Sequence, residues 1–195
     1  IDTIERLRGA RSIAALAELA RMTDPRVRIV ASMLTDIWSA AYIVGDSTLA
    51  RLISATLVRL SLEHGNVEES AYGYVTHAIT VGAIRGDCAQ AYDYGCLALA
   101  VNARFDDTSR RAKIYQQFHA HVNFWCRPFD SCAAYAREAC RSGLESGDFL
   151  YAAYGASFIN RLRGMFAFLL YDSETGVLMA GRDPFGIKPL YYRET

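Results

Sequence analysis

The sequence predicts a mainly α protein. An antiparallel helical repeat, or α-solenoid, fills residues 1–157, and a short β-hairpin appendage follows in residues 158–195. Three observations carry this reading. Turn-forming pairs recur about every twenty residues along the first three-quarters of the chain. The text between them has apolar residues at helical spacing. After Phe158 the pattern changes to short apolar runs split by a turn.

The elements follow in order from the punctuation, which runs Thr23–Pro25, Gly45–Asp46, Gly65–Asn66, Gly86–Asp87, Asp106–Asp107, Arg127–Pro128 and Gly147–Asp148. Asp24 before Pro25 reads as an N-cap with proline at the first helical position. From Asp46 a helix with Leu49, Leu52, Ile53, Leu57 and Leu60 on one stripe is expected. Asn66 with Glu69, and Asp87 with Gln90, have the spacing of capping boxes, in which each side chain satisfies an orphan backbone N–H of the first turn. Gly45, Gly65, Gly86 and Gly147 each precede such a start, where a left-handed residue ends the previous helix. The text therefore predicts antiparallel helices joined by very short turns.

A repeat lies beneath this cadence. Tyr72, Tyr92, Tyr115, Tyr135 and Tyr154 occur once per helix, and "SAYGY", "QAYDYG" and "CAAYAREA" read as variants of one helix. Two helices per unit give a tetratricopeptide-like period, with a compact bundle as the competing architecture. The tyrosines are expected to pack between successive helices rather than to line a ligand. The phrases "RMTDPRVRIVASML", "LVRLSLEHGNVEESAYGYV", "YDYGCLALAVNARFDD", "KIYQQFHAHVNFWCRP" and "REACRSGLESGDFLYAAY" lie in order within a stretch of about residues 20–156. They resemble the helical repeat region of large bacterial signalling proteins that join a serine/threonine kinase-like domain, an AAA-type ATPase, a GAF sensor and often a histidine kinase. That resemblance implies a connecting or regulatory role with no catalytic residue. The chain itself shows no kinase lysine strand, H-R-D loop or Walker A loop.

The tail is different text. Met165–Asp172 has strand length, Ser173–Gly176 is a turn, and Val177–Ala180 can return as a second strand, after a helix ending at Gly164. "RLRGMFAF" (Arg161–Phe168) and "GRDPFGIKPLYY" (Gly181–Tyr192) resemble the later part of the class II glutamine amidotransferase domain of asparagine synthase. The residues that carry this resemblance are Arg161, Gly164, Met165, Phe166, Arg182, Asp183, Gly186, Pro189, Leu190 and Tyr191. In that family an N-terminal cysteine attacks the glutamine amide with its own α-amine as base. An arginine, an Asn-Gly oxyanion hole and an aspartate for the substrate lie upstream of this tail, and a pyrophosphate-binding loop lies downstream. Here residue 1 is Ile and the first cysteine is Cys88 within a helix. The resemblance therefore implies structural strand and loop without activity, and the chain is expected not to be an enzyme. The two texts are expected to meet inside one helix, at Ala156–Phe158, and an initial Ile suggests a piece of something longer.

Composition narrows the remaining classes. Twenty-one basic and 21 acidic residues balance to zero, which gives no electrostatic case for nucleic acid or an anionic membrane. No uncharged apolar run has the length of a membrane span. The five cysteines, Cys88, Cys96, Cys126, Cys132 and Cys140, form no C-x-x-C pair, and free thiols in a reducing cytoplasm are expected. His119 and His121 would point to opposite sides of a helix, so they cannot share a metal. Cys132 and Cys140 are too far apart along a helix to pair, as are Cys88 and Cys96.

No catalytic residue, cofactor or metal is therefore assigned. The leading expectation is a non-catalytic interaction segment of a signalling ATPase or kinase, whose partners are proteins or neighbouring domains of a longer chain. An asparagine synthase fragment with an incomplete glutaminase site is the first alternative. A small-molecule sensor with an inter-helix pocket is the second.

Overall fold

The computed structural model describes residues 1–161, 167–171 and 178–182. It is mainly helical. Helices α1 (Asp2–Arg8), α2 (Pro25–Ile43), α3 (Ser47–His64), α4 (Ser70–Arg85), α5 (Cys88–Phe105), α6 (Thr108–Phe118), a short α7 (Phe124–Cys126), α8 (Cys132–Ser146) and α9 (Phe149–Arg161) follow in order. A 3₁₀ segment, Ala14–Glu18, lies between α1 and α2. Strands β1 (Ala167–Tyr171) and β2 (Leu178–Arg182) pair antiparallel, with Leu169 opposite Ala180. The expected turn at Ser173–Gly176 lies outside the described residues.

Consecutive helices pack on one another from α2 to α5, and again from α6 through α8 to α9. Helix α4 also touches α2 and α6, and α6 touches α9. This makes α4 the most enclosed element: Ser70 to Ala78, Thr80 and Val81 are all buried. Its tyrosines Tyr72 and Tyr74, with Tyr94 of α5 and Phe118 of α6, are the largest side chains removed from water. Burying rings of this size supplies a large share of the apolar driving force in a helical domain.

Local chemistry sets the starts of α2, α3, α5 and α6. The Asp24 carboxylate accepts from the Arg26 N–H at 2.8 Å, Asp46 from Leu49 at 2.9 Å, Asp87 from Gln90 at 2.9 Å and Asp107 from Ser109 at 3.0 Å. Gly45, Gly65, Gly86 and Gly147 all have positive φ, where a Cβ would be strained. At Gly65 the requirement is double, because a Cβ there would also run into the Ala20 carbonyl.

Two local expectations are corrected. Asn66 does not cap α4. Its amide donates to the Leu16 carbonyl at 2.8 Å and accepts from the Tyr74 hydroxyl at 2.9 Å, fully buried. The helix starts later, at Ser70, whose hydroxyl accepts from the Val67 N–H at 2.9 Å. The stripe on α3 is also turned: Ala50, Ile53, Ser54, Leu57, Val58 and Ser61 face inward, and Leu49 and Leu52 are exposed. The Trp38 indole N–H donates to the Ser54 hydroxyl at 2.9 Å, which draws that side of α3 onto α2.

These roles predict different costs. Asp87→Ala removes one exposed cap and should lower unfolding free energy by about 1 kcal/mol. Asn66→Ala leaves the Leu16 carbonyl and the Tyr74 hydroxyl unpaired in the core and should cost about 3 kcal/mol. Urea denaturation at neutral pH measures both. Equal costs would return Asn66 to an ordinary surface cap.

Candidate functional site

The motif residues of the tail fall mostly beyond what the structure describes. Arg161 closes α9, and Arg182 ends β2 opposite Ala167 of β1. Gly164, Met165, Phe166, Asp183, Gly186, Pro189, Leu190 and Tyr191 lie outside the described residues.

Within the helical part, the arrangement most like a site is a set of polar groups shared by α2, α4 and α9. The Ser39 hydroxyl lies 3.2 Å from the Tyr72 hydroxyl and 3.5 Å from that of Tyr151. The Tyr72 ring meets Trp38 edge-on, with centroids 5.6 Å apart. Burial, followed by the neighbouring Tyr151, pushes the Tyr72 phenol well above its ordinary value. A phenol held protonated in this way is a hydrogen-bonding strut between three helices, and it is no acid or base near neutral pH.

A second cluster sits where the helix is under-wound. After α6 the chain makes a π-helical turn at His119–Asn123, a feature that the continuous helical text of this region does not reveal. The buried Cys132 thiol donates to the His119 carbonyl at 3.4 Å and accepts from the Asn123 amide at 3.1 Å. The histidine thus meets the thiol through its backbone, not its ring. The ring packs instead on Phe158 of α9, with centroids 4.6 Å apart. Burial raises the Cys132 thiol and pushes His119 down to about 4, so the two are a neutral thiol and a neutral imidazole, not an activated nucleophile with its base.

The other sequence candidates separate as well. The His121 ring meets Tyr42 edge-on, with centroids 6.1 Å apart. Among the described residues no group of three or more His, Cys, Asp or Glu side chains could hold a metal ion. Tyr92 and Tyr135 pack on Phe118, and Tyr115 on Tyr135, whereas Tyr154 is exposed. Shallow clefts among the described residues include one of about 360 Å³ between the 3₁₀ segment and Asp93, Leu97 and Ala100 of α5, and one of about 330 Å³ beside Arg28, Ser32 and Glu69. No described helix is long and apolar enough to cross a membrane.

Comparison with known proteins places a likeness at the C-terminal end. Residues 137–195 match the family model of the glutamine amidotransferase domain. The amidase chyE of Penicillium rubens is 58% identical over 43 residues, 22% of this chain and 6% of that protein. Asparagine synthetase [glutamine-hydrolyzing] 1 of Bacillus subtilis is 55% identical over 42 residues, 22% of this chain and 7% of that protein. Asparagine synthetase B [glutamine-hydrolyzing] of Escherichia coli is 55% identical over 42 residues, 22% of this chain and 8% of that protein. The chain thus spans less than a tenth of the length of these relatives. No solved structure matches the chain.

These matches correct the leading functional expectation. The chain's likeness is to a glutamine amidotransferase fragment, not to a helical segment of a signalling kinase or ATPase, and the asparagine synthase alternative takes its place. The family match begins at Arg137 in α8, so it takes in the end of the helical part as well as the strand pair.

Proposed function

We propose that the C-terminal part of this chain is the later part of a class II glutamine amidotransferase domain of the asparagine synthetase type, carried behind a helical body. The observation that supports this most is the identity of more than half the residues to asparagine synthetases across a continuous stretch of 42. In this reading β1 and β2 are scaffold strands of that domain, with Arg182 at the strand end from which the Arg-Asp motif departs.

The chain is proposed to have no glutaminase activity of its own. The mechanism that the resemblance implies needs a cysteine whose free α-amine serves as base. Each of the five cysteines here has its nitrogen tied into a peptide bond. The domain boundary is proposed at residues 157/158, with residues 1–157 as a tetratricopeptide-like stack. Support for the stack comes from the recurring turns and from α4 touching both its sequence neighbours and the helices one further away. Protein partners or neighbouring domains and a cytoplasmic setting are proposed too. Ile29, Met33 and Ile37, exposed on one face of α2 at four-residue spacing, are consistent with such a partner.

Two assays test this reading. The purified chain incubated with glutamine should release no glutamate above a buffer control. The N-terminal part of the Bacillus subtilis asparagine synthetase, cut where its likeness to this chain begins, should regain glutamine hydrolysis when this chain is added. The relative's own excised segment serves as the control. Rescue by the control but not by this chain would reject the amidotransferase reading. Turnover by the chain alone would reject its inactivity.

A further inference from the structure

Cys88 and Cys126 stand 38 positions apart in the sequence, and the fold brings them together. Cys88 is the first residue of α5 and Cys126 the last of α7. The Cys126 thiol donates to the Cys88 carbonyl at 2.9 Å. The Cys88 side chain is itself a hydrogen-bonding neighbour of the Cys126 thiol, which sets the two sulfurs close together. The contact is braced next door, where the Arg127 guanidinium lies over the Tyr92 ring of α5 at 4.3 Å. Burial, and next to it the Cys88 side chain, hold the Cys126 thiol up at about 11, with Arg127 and Asp87 as the nearby charges. Cys88 is exposed and Cys126 half-buried, so one thiol is open to solvent and the second waits behind it. Of the others, Cys132 is enclosed by Asn123 and the His119 carbonyl, and Cys96 and Cys140 lie elsewhere on α5 and α8.

We propose that Cys88 and Cys126 are a dithiol site that closes to a reversible disulfide by exchange with a low-molecular-weight disulfide of the glutathione type. The exposed Cys88 thiol loses its proton and attacks one sulfur of the small disulfide. That S–S bond breaks, and the first small thiolate leaves and takes up a proton. Cys126, losing its proton in turn, attacks the Cys88 sulfur of the mixed disulfide and expels the second small thiol. Two electrons pass from the cysteine pair to the small disulfide, which becomes two thiols. The high proton affinity of Cys126 makes the closing step the slower one, and it speeds up as pH rises. The new bond ties the end of α7 to the start of α5.

The test uses the full chain, reduced, desalted and incubated with oxidised glutathione, after which free thiols are alkylated and the peptides mapped by mass spectrometry. The expected product links Cys88 to Cys126, on the order of tenfold or more over any other pairing, because only these two thiols are held at high effective concentration. Cys126→Ser should stop at a single glutathione adduct on Cys88, and Cys132→Ser should close as the parent does. Far-UV circular dichroism confirms that each variant is folded. A dominant pairing of other cysteines would overturn the proposal. So would a glutathione adduct that persists on Cys88 of the folded parent, or the same pairing yield in guanidinium.

Discussion

Lowering the pH from 7 to 4 should remove about 6 kcal/mol of folding stability, because two histidines are buried in neutral form. His77, in the centre of α4, is wholly enclosed, and neither ring nitrogen has a hydrogen-bond partner among the described residues. It meets the Tyr94 ring edge-on at 4.9 Å. His119, in the π-helical turn, is likewise enclosed and unpartnered, against Phe158. Desolvation pushes both down from 6.5 to about 4, aided at His119 by the neighbouring His121. Between those values the unfolded chain binds protons that the folded chain excludes. Stability is therefore complete above the unfolded value near 6.5 and is lost as pH falls toward 4. Each histidine contributes about 3 kcal/mol of that loss, and the sum is comparable with the whole stability of many domains. Urea melts at closely spaced pH values measure it. His77→Leu and His119→Leu should each flatten the acid limb by about half, whatever they do to stability at pH 7. An acid limb unchanged in both variants would mean that other groups carry the transition.

That limb depends on burial, which the sequence conveys unevenly. Asp24, Asp46 and Asp87 were legible as helix starts because a cap is local chemistry, completed within three residues. Asn66 has the same local text, but its partners Leu16 and Tyr74 arrive from other elements, and tertiary hydrogen bonds outweigh the cap. The π-helical turn could not be read either, since its residues suit an α-helix equally well and the extra residue is accommodated by packing on α8. The candidate sites divide in the same way. The amidotransferase motif was legible because its specific residues are contiguous from Arg161 to Tyr191. The helical cadence was legible as structure yet misleading as function, because caps and a 3.6-residue period specify helices and nothing about their use. The pairing of Cys88 with Cys126 leaves no trace in spacing, as it depends on how α7 folds back on α5.

Replacing Gly155 by alanine should destabilise the protein by about 2–3 kcal/mol, although the same exchange normally strengthens a helix. Gly155 lies in α9 against α8, and a Cβ built there would stand 2.7 Å from the Ala136 carbonyl oxygen and 2.9 Å from the Cys140 nitrogen. Gly143 of α8 mirrors it, with an added Cβ 2.8 Å from the Ala152 nitrogen and 2.9 Å from the Asp148 carbonyl oxygen. Both obstacles are backbone, which cannot swing aside as a side-chain tip can, so the two helices must separate along the whole contact. Separation also loosens Cys132, Ala136 and Ala139, the buried face of α8 that packs on α6. Gly82 of α4 supplies the contrast. A Cβ there meets only the Ala91 methyl at 3.6 Å, an ordinary contact, so Gly82→Ala should gain about 0.5–1 kcal/mol from reduced backbone entropy in the unfolded chain. Guanidinium denaturation of the three variants should therefore give losses at Gly143 and Gly155 and a gain at Gly82. The double variant Gly143→Ala, Gly155→Ala should cost less than the sum of the singles, because one separation of α8 from α9 relieves both clashes. Strict additivity would show two independent local adjustments, and a gain at Gly155 would show that α8 and α9 do not approach so closely. Both glycines lie within residues 137–195, so this α8–α9 contact is internal to the stretch that matches the amidotransferase family model. Its loss would release α9, and with it Phe158, from the His119 ring. The Gly155 variant should therefore also move the acid limb toward neutral behaviour at that histidine.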